Sequence, residues 1–300
     1  MVEVDERRGP GRPRRIITPS SPIRGVVDEP DEEDNLIEFS YFDPMIFKHL
    51  FTLLKNLKVR DIYFVFNKNY FTILTRDHTK NRIIIKIRCE KALHYYCGQD
   101  NLYLSINRDT IQAVFLNLNK SINKILITFE SGSDMLKIRL NDNILSKTKI
   151  REVIVSDKRA DEALLNIETE IRETESVLSF SLTTRDFKET IADATSYGDK
   201  IRIEKHGNSP LCLTFSKAHT NLCTEEYTDS EKIDLDCNLD ENDSFLCILH
   251  TMLLKCISVS VINNKVSIKC LPNNRAILTS QLSQVNDLLV FSIFAEKLQI

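Results

Sequence analysis

The sequence predicts an α+β protein of two similar domains, each with helices on one face of antiparallel sheets. Three observations lead there. Apolar residues recur every three or four positions in short stretches and every second position in longer ones, the periods of amphipathic helices and half-buried strands. The order of these stretches in residues 36–157 returns in residues 176–300, which marks an internal repeat. Between the two lies a highly charged segment, residues 158–175 (KRADEALLNIETEIRETE), whose four aliphatics suit a connector resting on a surface.

Residues 1–35 precede the first domain and carry Pro, Arg, Ser and acidic runs with few apolar residues. Such a segment buries too little surface to offset its ordering entropy, so it reads as a disordered arm. Within it, Arg7-Arg8-Gly9-Pro10-Gly11-Arg12-Pro13-Arg14-Arg15 resembles an AT-hook, with Pro10 standing where an arginine is usual. Arg8, Arg12, Arg14 and Arg15 are its candidate DNA contacts, through phosphates and an A·T-rich minor groove. A basic tail without groove preference, or a nuclear targeting signal, is the competing reading.

The first domain opens with a strand over Leu36–Tyr41 and a helix start at Asp43-Pro44, a capping carboxylate followed by a proline suited to a first turn. Ile46, Phe47, Leu50, Phe51, Leu54 and Leu57 then share one helix face. Lys48 and Lys55 lie two turns apart on the other face, with Lys58 one turn further. Asn67-Lys68-Asn69 joins two strands as a hairpin, and a β-branched strand follows over Arg82–Arg88. Asn107-Arg108-Asp109 caps a second helix with Ile111, Val114, Phe115 and Leu118 inward and Arg108 and Lys120 among its polar positions. Strands over Lys124–Glu130, Met135–Leu140 and Arg151–Val155 close the domain.

The second domain repeats the series. Ser176–Leu182 is its first strand, and Thr184 caps a helix with Phe187, Ile191 and Ala194 inward and Arg185 and Lys188 outward. A hairpin over Asp199–Ser216 turns at His206-Gly207-Asn208. Asp243 is expected to cap a fourth helix carrying Phe245, Leu246, Leu249, Met252 and Leu253, with Lys255 and His250 as its basic groups. Ile262–Ile268 supplies the strand after it.

Composition narrows the function. A formal charge of −3 argues against a uniform coat of nucleic acid, so positive charge would have to be segregated onto one surface. No eighteen-residue apolar run provides a membrane span, and the opening residues, charged without a following apolar run, are not expected to act as a secretory leader. The eight cysteines lack metal-ligand spacing and read as free thiols in a reducing compartment. With seven glycines, six isolated histidines and no phosphate loop or catalytic motif, the chain is expected to be neither an enzyme nor a cofactor carrier.

In this order, the opening helix from Phe47 to Lys58, the Arg76-Asp77-His78 turn, the Leu102–Leu118 strand and helix, the Tyr197-Gly198-Asp199 turn and the closing Ile293-Phe294-Ala295-Glu296-Lys297 resemble sliding clamps of the proliferating cell nuclear antigen type. The resemblance covers residues 36–300. The arm together with Glu38-Phe39-Ser40-Tyr41 is similar to the clamp-like proteins of asfarvirus-related large DNA viruses. It implies the DNA-clamp fold and a homotrimeric, six-domain ring around duplex DNA. It also implies that the chain works where DNA is replicated, in a host-cell viral factory or nucleus. Lys48, Lys55, Lys58, Arg108, Lys120, Arg185, Lys188 and Lys255 would then line the bore, with Lys80 and Arg82 as further candidates. DNA polymerase and other replication enzymes would dock short peptides against Leu164, Leu165 and Ile167 of the connector and Ile293, Phe294 and Ala295. Subunits would join through edge strands carrying Met135, Ile138 and Leu140 on one side and Leu222 and Tyr227 on the other. The alternative is a monomeric or hetero-oligomeric processivity or checkpoint subunit of the same fold.

Overall fold

The computed structural model describes residues 35–217, 220–228, 233–260, 265–281 and 289–295. The first domain runs β1 (Asn35–Tyr41), α1 (Met45–Asn56), β2 (Asp61–Phe66), β3 (Tyr70–Arg76), β4 (Arg82–Arg88), β5 (His94–Cys97), β6 (Leu102–Asn107), α2 (Arg108–Leu116), β7 (Ile122–Glu130), β8 (Met135–Asp142) and β9 (Lys147–Ile154). Two short helices, α3 (Glu162–Leu165) and α4 (Ile167–Glu173), form the connector. The second domain runs β10 (Leu178–Thr183), α5 (Thr184–Tyr197), β11 (Lys200–His206), β12 (Leu211–Lys217), β13 (Thr220–Tyr227), β14 (Asp236–Cys237), β15 (Ser244–His250), α6 (Thr251–Ser260), β16 (Lys265–Leu271), β17 (Arg275–Gln281) and β18 (Leu289–Ala295).

Element for element, the second series repeats the first, and so does the strand order. Strands β5-β1-β7-β8-β9 form one sheet, and their counterparts β14-β10-β16-β17-β18 keep that order. Strands β4-β3-β2-β6 correspond likewise to β13-β12-β11-β15. The domains fuse where β18 pairs antiparallel with β4, Phe291 opposite Ile85 and Ile293 opposite Ile83, giving one nine-stranded sheet.

Polar side chains set the helix starts. Asp43 accepts a hydrogen bond from the Met45 N–H (3.1 Å) and Asn107 from the Asp109 N–H (2.8 Å). Thr183, not Thr184, caps α5. It keeps an extended backbone at the end of β10 while its hydroxyl accepts from the Asp186 N–H at 3.1 Å.

The helix expected from Asp243 is instead strand β15 followed by α6. The run FLCILHTMLL fits both periods, and pairing with β11 decides: Phe245, Cys247 and Leu249 are buried in alternation, and the helix begins only at Thr251. Among the strands absent from the sequence reading, β5 and β14 are only four and two residues long. They owe their form to pairing with β1 and β10.

Helices α2 and α1 pack together, α1 meets α6, and α6 meets α5, so one helical layer spans both domains. Beneath it lies a continuous core that includes Phe39, Phe47, Phe51, Phe64, Phe71 and Phe115 in the first domain and Phe180, Phe187 and Phe215 in the second. On the opposite face of the nine-stranded sheet a smaller cluster joins Val65, Leu74, Ile84, Leu271, Ile277 and Phe294 to the connector.

Candidate nucleic-acid interface and connector groove

Each helix turns its apolar stripe to the core and leaves its polar face to solvent. Lys55, Lys188 and Lys255 are exposed on that face, and Lys58 is exposed just beyond α1 in a left-handed backbone (φ 54°). Lys120 is exposed in the loop after α2. The other predicted contacts are engaged within the protein. Lys48 Nζ donates to the Leu118 carbonyl at 2.8 Å and thereby ties α1 to the end of α2. Arg108 Nε donates to Asp109 Oδ1 at 2.9 Å, and Arg185 Nε to Glu189 Oε1 at 3.0 Å. Exposed pairs of this kind are weak, so both guanidinium groups stay available to a competing anion. Arg8, Arg12, Arg14 and Arg15 lie outside the described residues. Lys80 is exposed in the β3–β4 turn, whereas Arg82 is buried on the opposite face of the sheet from the helices and is no candidate for the helical surface.

The subunit-interface expectation needs correction. Strand β8, with Met135, Ile138 and Leu140, is paired on both sides by β7 and β9, and Ile138 and Leu140 are buried. The edge is β9, which begins at Lys147, four residues before the expected strand over Arg151–Val155, and whose edge position leaves no mark in sequence. Ile150 and Ile154 on β9, and Ile144 and Leu145 in the turn before it, are exposed, making an open apolar edge of the kind natural proteins usually cover. Strand β13 is the edge of the four-stranded sheet, as expected. Tyr227 lies on it, its hydroxyl donating to Glu225 at 3.0 Å; Leu222 belongs to the same strand, its side chain outside the described residues.

The peptide-docking expectation also changes. Leu164, Ile167 and Phe294 are buried and Leu165 partly so, because the connector itself covers the outer face of the β18–β4 seam. Ile293 and Ala295 point the other way, into the core beneath the helices, by strand alternation. Ionic contacts fasten the connector. Arg76 grips Asp161 with both guanidinium nitrogens (Nη2–Oδ1 2.9 Å). Arg82 and Arg275 share Glu170 at 2.6 and 3.0 Å, and Lys86 pairs with Glu168. The guanidinium of Arg82 also lies 4.2 Å from the centre of the Phe294 ring and that of Arg275 5.2 Å, within cation–π range. The hydrogen bonds from Arg76 to Asp161 and from Arg82 to Glu170 hold both carboxyls below their ordinary range.

Past the connector's first turn the groove opens into a cleft of about 360 Å³ lined by Lys58, Arg60, Tyr63, Arg76, His78 and Leu164, with Asp61 and Asp77 on its wall. Asp77 is committed to the turn, where its Oδ1 accepts from the Thr79 and Asn81 N–H groups at 2.8 and 2.9 Å.

No protein-family model matches the chain. African swine fever virus proteins described as uncharacterized protein E301R, from isolates Tick/Malawi/Lil 20-1/1983 and Pig/Kenya/KEN-50/1950, are 28% identical over 287 residues, covering 94% of this chain and 95% of their own. The crystal structure of proliferating cellular nuclear antigen from Entamoeba histolytica matches with a TM-score of 0.68 at 14% identity, over 88% of this chain and 99% of that one. The chain thus has the fold of proliferating cell nuclear antigen and is similar, along nearly all its length, to a viral protein.

Proposed function

We propose that this protein is a DNA sliding clamp, a processivity factor that encircles duplex DNA as a homotrimer and tethers DNA polymerase and other replication enzymes on its outer face at the site of viral DNA replication. The observation that carries this reading is the internal seam. Strand β18 ends one five-stranded sheet and pairs with β4; its counterpart β9 and the counterpart of β4, β13, have no strand beyond them among the described residues. Repeating the seam between copies joins β9 of one to β13 of the next, a head-to-tail contact that closes into a ring. Carrying the internal register across, where Phe291 faces Ile85, sets Lys149 of one copy opposite Glu225 of the next. Opposite charges at that position favour the pairing.

Closure in this manner gathers the helical layers on one side of the sheets. Lys55, Lys58, Lys120, Lys188 and Lys255 then face the enclosed duplex and meet phosphates without reading bases, which permits sliding. The role is one of enclosure and tethering, without turnover; incubation with nicked DNA and nucleotides should leave both unchanged. Light scattering should give about three times the chain mass of 34.6 kDa. A mass of one chain would favour the monomeric processivity subunit instead.

A further inference from the structure

We infer that the cavity where α1, α6 and the β3–β4 turn meet is a binding site for a pyrimidine nucleotide, with the base in a slot between the two domains and the phosphate on Lys58. The slot lies between domains because α1 belongs to the first and α6 to the second, a common setting for a ligand pocket. Its volume of about 170 Å³ is below the roughly 300 Å³ at which pockets for drug-sized ligands begin, so it admits one small ring. Leu57 and Leu253 are buried and form its apolar floor. Met252 beside them is 59% exposed, and a flexible, polarizable thioether closes well on a flat ring. Around this floor stand polar groups that the fold leaves unused. The side chains of Asn56, Lys58 and His250 have no hydrogen bond or ion pair among the described residues. An amide that both donates and accepts, beside an imidazole, suits the carbonyl and ring nitrogen edge of a pyrimidine.

Lys58 and His78 also line the neighbouring basic cleft, so they stand at the boundary of the two hollows. His78 Nδ1 lies 3.4 Å from the Leu57 carbonyl, which can only accept, and this leaves Nε2 for a ligand. Asp77 shares that wall, but its carboxylate is taken up by the turn: Oδ2 accepts from Asn81 Nδ2 at 2.8 Å and Oδ1 from two backbone N–H groups. An apolar floor alone would suit a hydrocarbon, and cations alone a bare anion. Both within one small cavity specify a ring that carries a phosphate. A free mononucleotide and an unpaired nucleotide of a DNA strand offer that same chemistry. The site is built within one chain, so it stands or falls separately from enclosure of duplex DNA.

The full chain, methyl-labelled at its four methionines, supplies the readout. Titration with dTMP should move the Met252 signal saturably at millimolar concentration and leave that of Met135, on β8, in place. Asn56→Ala and His250→Ala should each weaken binding about fivefold, as for one lost hydrogen bond. Lys58→Ala should erase the advantage of dTMP over thymidine while leaving thymidine binding intact, and dAMP should bind several-fold more weakly than dTMP. Saturation by oligothymidylate at a lower nucleotide concentration than by dTMP would assign the site to an unpaired DNA strand, and otherwise to free nucleotide; either order supports the site. No saturable Met252 shift with either probe, or the same shift from inorganic phosphate or dAMP as from dTMP, would overturn the inference.

Discussion

The two domains share every element and every strand order, yet they differ in how they are packed and what they present to solvent. The first packs on stacked rings: Phe51 and Phe115 lie 4.7 Å apart and nearly parallel, with Phe47 5.4 Å from Phe115. The second uses Phe180, Phe187 and Phe215 among aliphatics and buried cysteines, and burial pushes the Cys247 thiol up to about 12. The solvent faces diverge further. Helix α1 carries Lys48 and Lys55 with no acidic residue, whereas α5 sets Arg185 and Lys188 against Asp186, Glu189 and Asp193. One topology therefore supports two surfaces. In the proposed ring the first domain would supply most of the attraction for a polyanion, and the second the matching edge and the span.

The largest test of this contrast concerns the core. Phe51→Ala removes the ring that both stacks on Phe115 and anchors α1, and should destabilise the protein by about 3–5 kcal/mol in denaturant unfolding. A loss below about 1 kcal/mol would mean that the stacked cluster is not central. Next come the helical cations. Lys55→Ala with Lys58→Ala should reduce the slope of log affinity against log salt by about two, as for two lost phosphate contacts, whereas Arg185→Ala with Lys188→Ala should reduce it by less than one. Equal losses would erase the proposed division between domains. At the proposed ring contact, Lys149→Glu should weaken association several-fold by placing like charges opposite each other, and adding Glu225→Lys should restore it. Failure of the rescue in sedimentation would break the inferred register.

The smallest effect is that of pH on the connector. Asp161 and Glu170 have depressed folded values, so their stabilisation is complete above the ordinary carboxylate range (3.8 and 4.5) and is lost as pH falls through the lower folded values. Hydrogen-exchange protection of residues 162–173, corrected for intrinsic rates, should hold from about pH 7 to about pH 5 and fall near pH 3. Constant protection across that range would show that the ionic contacts do little.

Much of this was legible in sequence. The Asp43-Pro44 start, the apolar face of α1 and the hairpin at Asn67 are local signals, and the structure keeps them. What sequence concealed depends on neighbours. Residues 245–253 suited either period until β11 supplied a partner for β15. The family resemblance made β8 an edge, but β9 pairs outside it, so the strand of Met135, Ile138 and Leu140 lies inside the sheet. The aliphatics of the connector signalled correctly that it rests on a surface; what sequence could not show is which surface, the β18–β4 seam, or that Arg76, Arg82 and Arg275 fasten it there.

Enclosure is the central claim, and it separates from mere adhesion by topology. Protein should be loaded onto nicked circular duplex at low salt, with loading enzymes if needed, and challenged with salt high enough to screen the lysine contacts. Retention on the circle and escape on linearisation by a single cut are the expected result. Equal loss from circle and linear DNA, from a preparation already shown to load, would contradict the account.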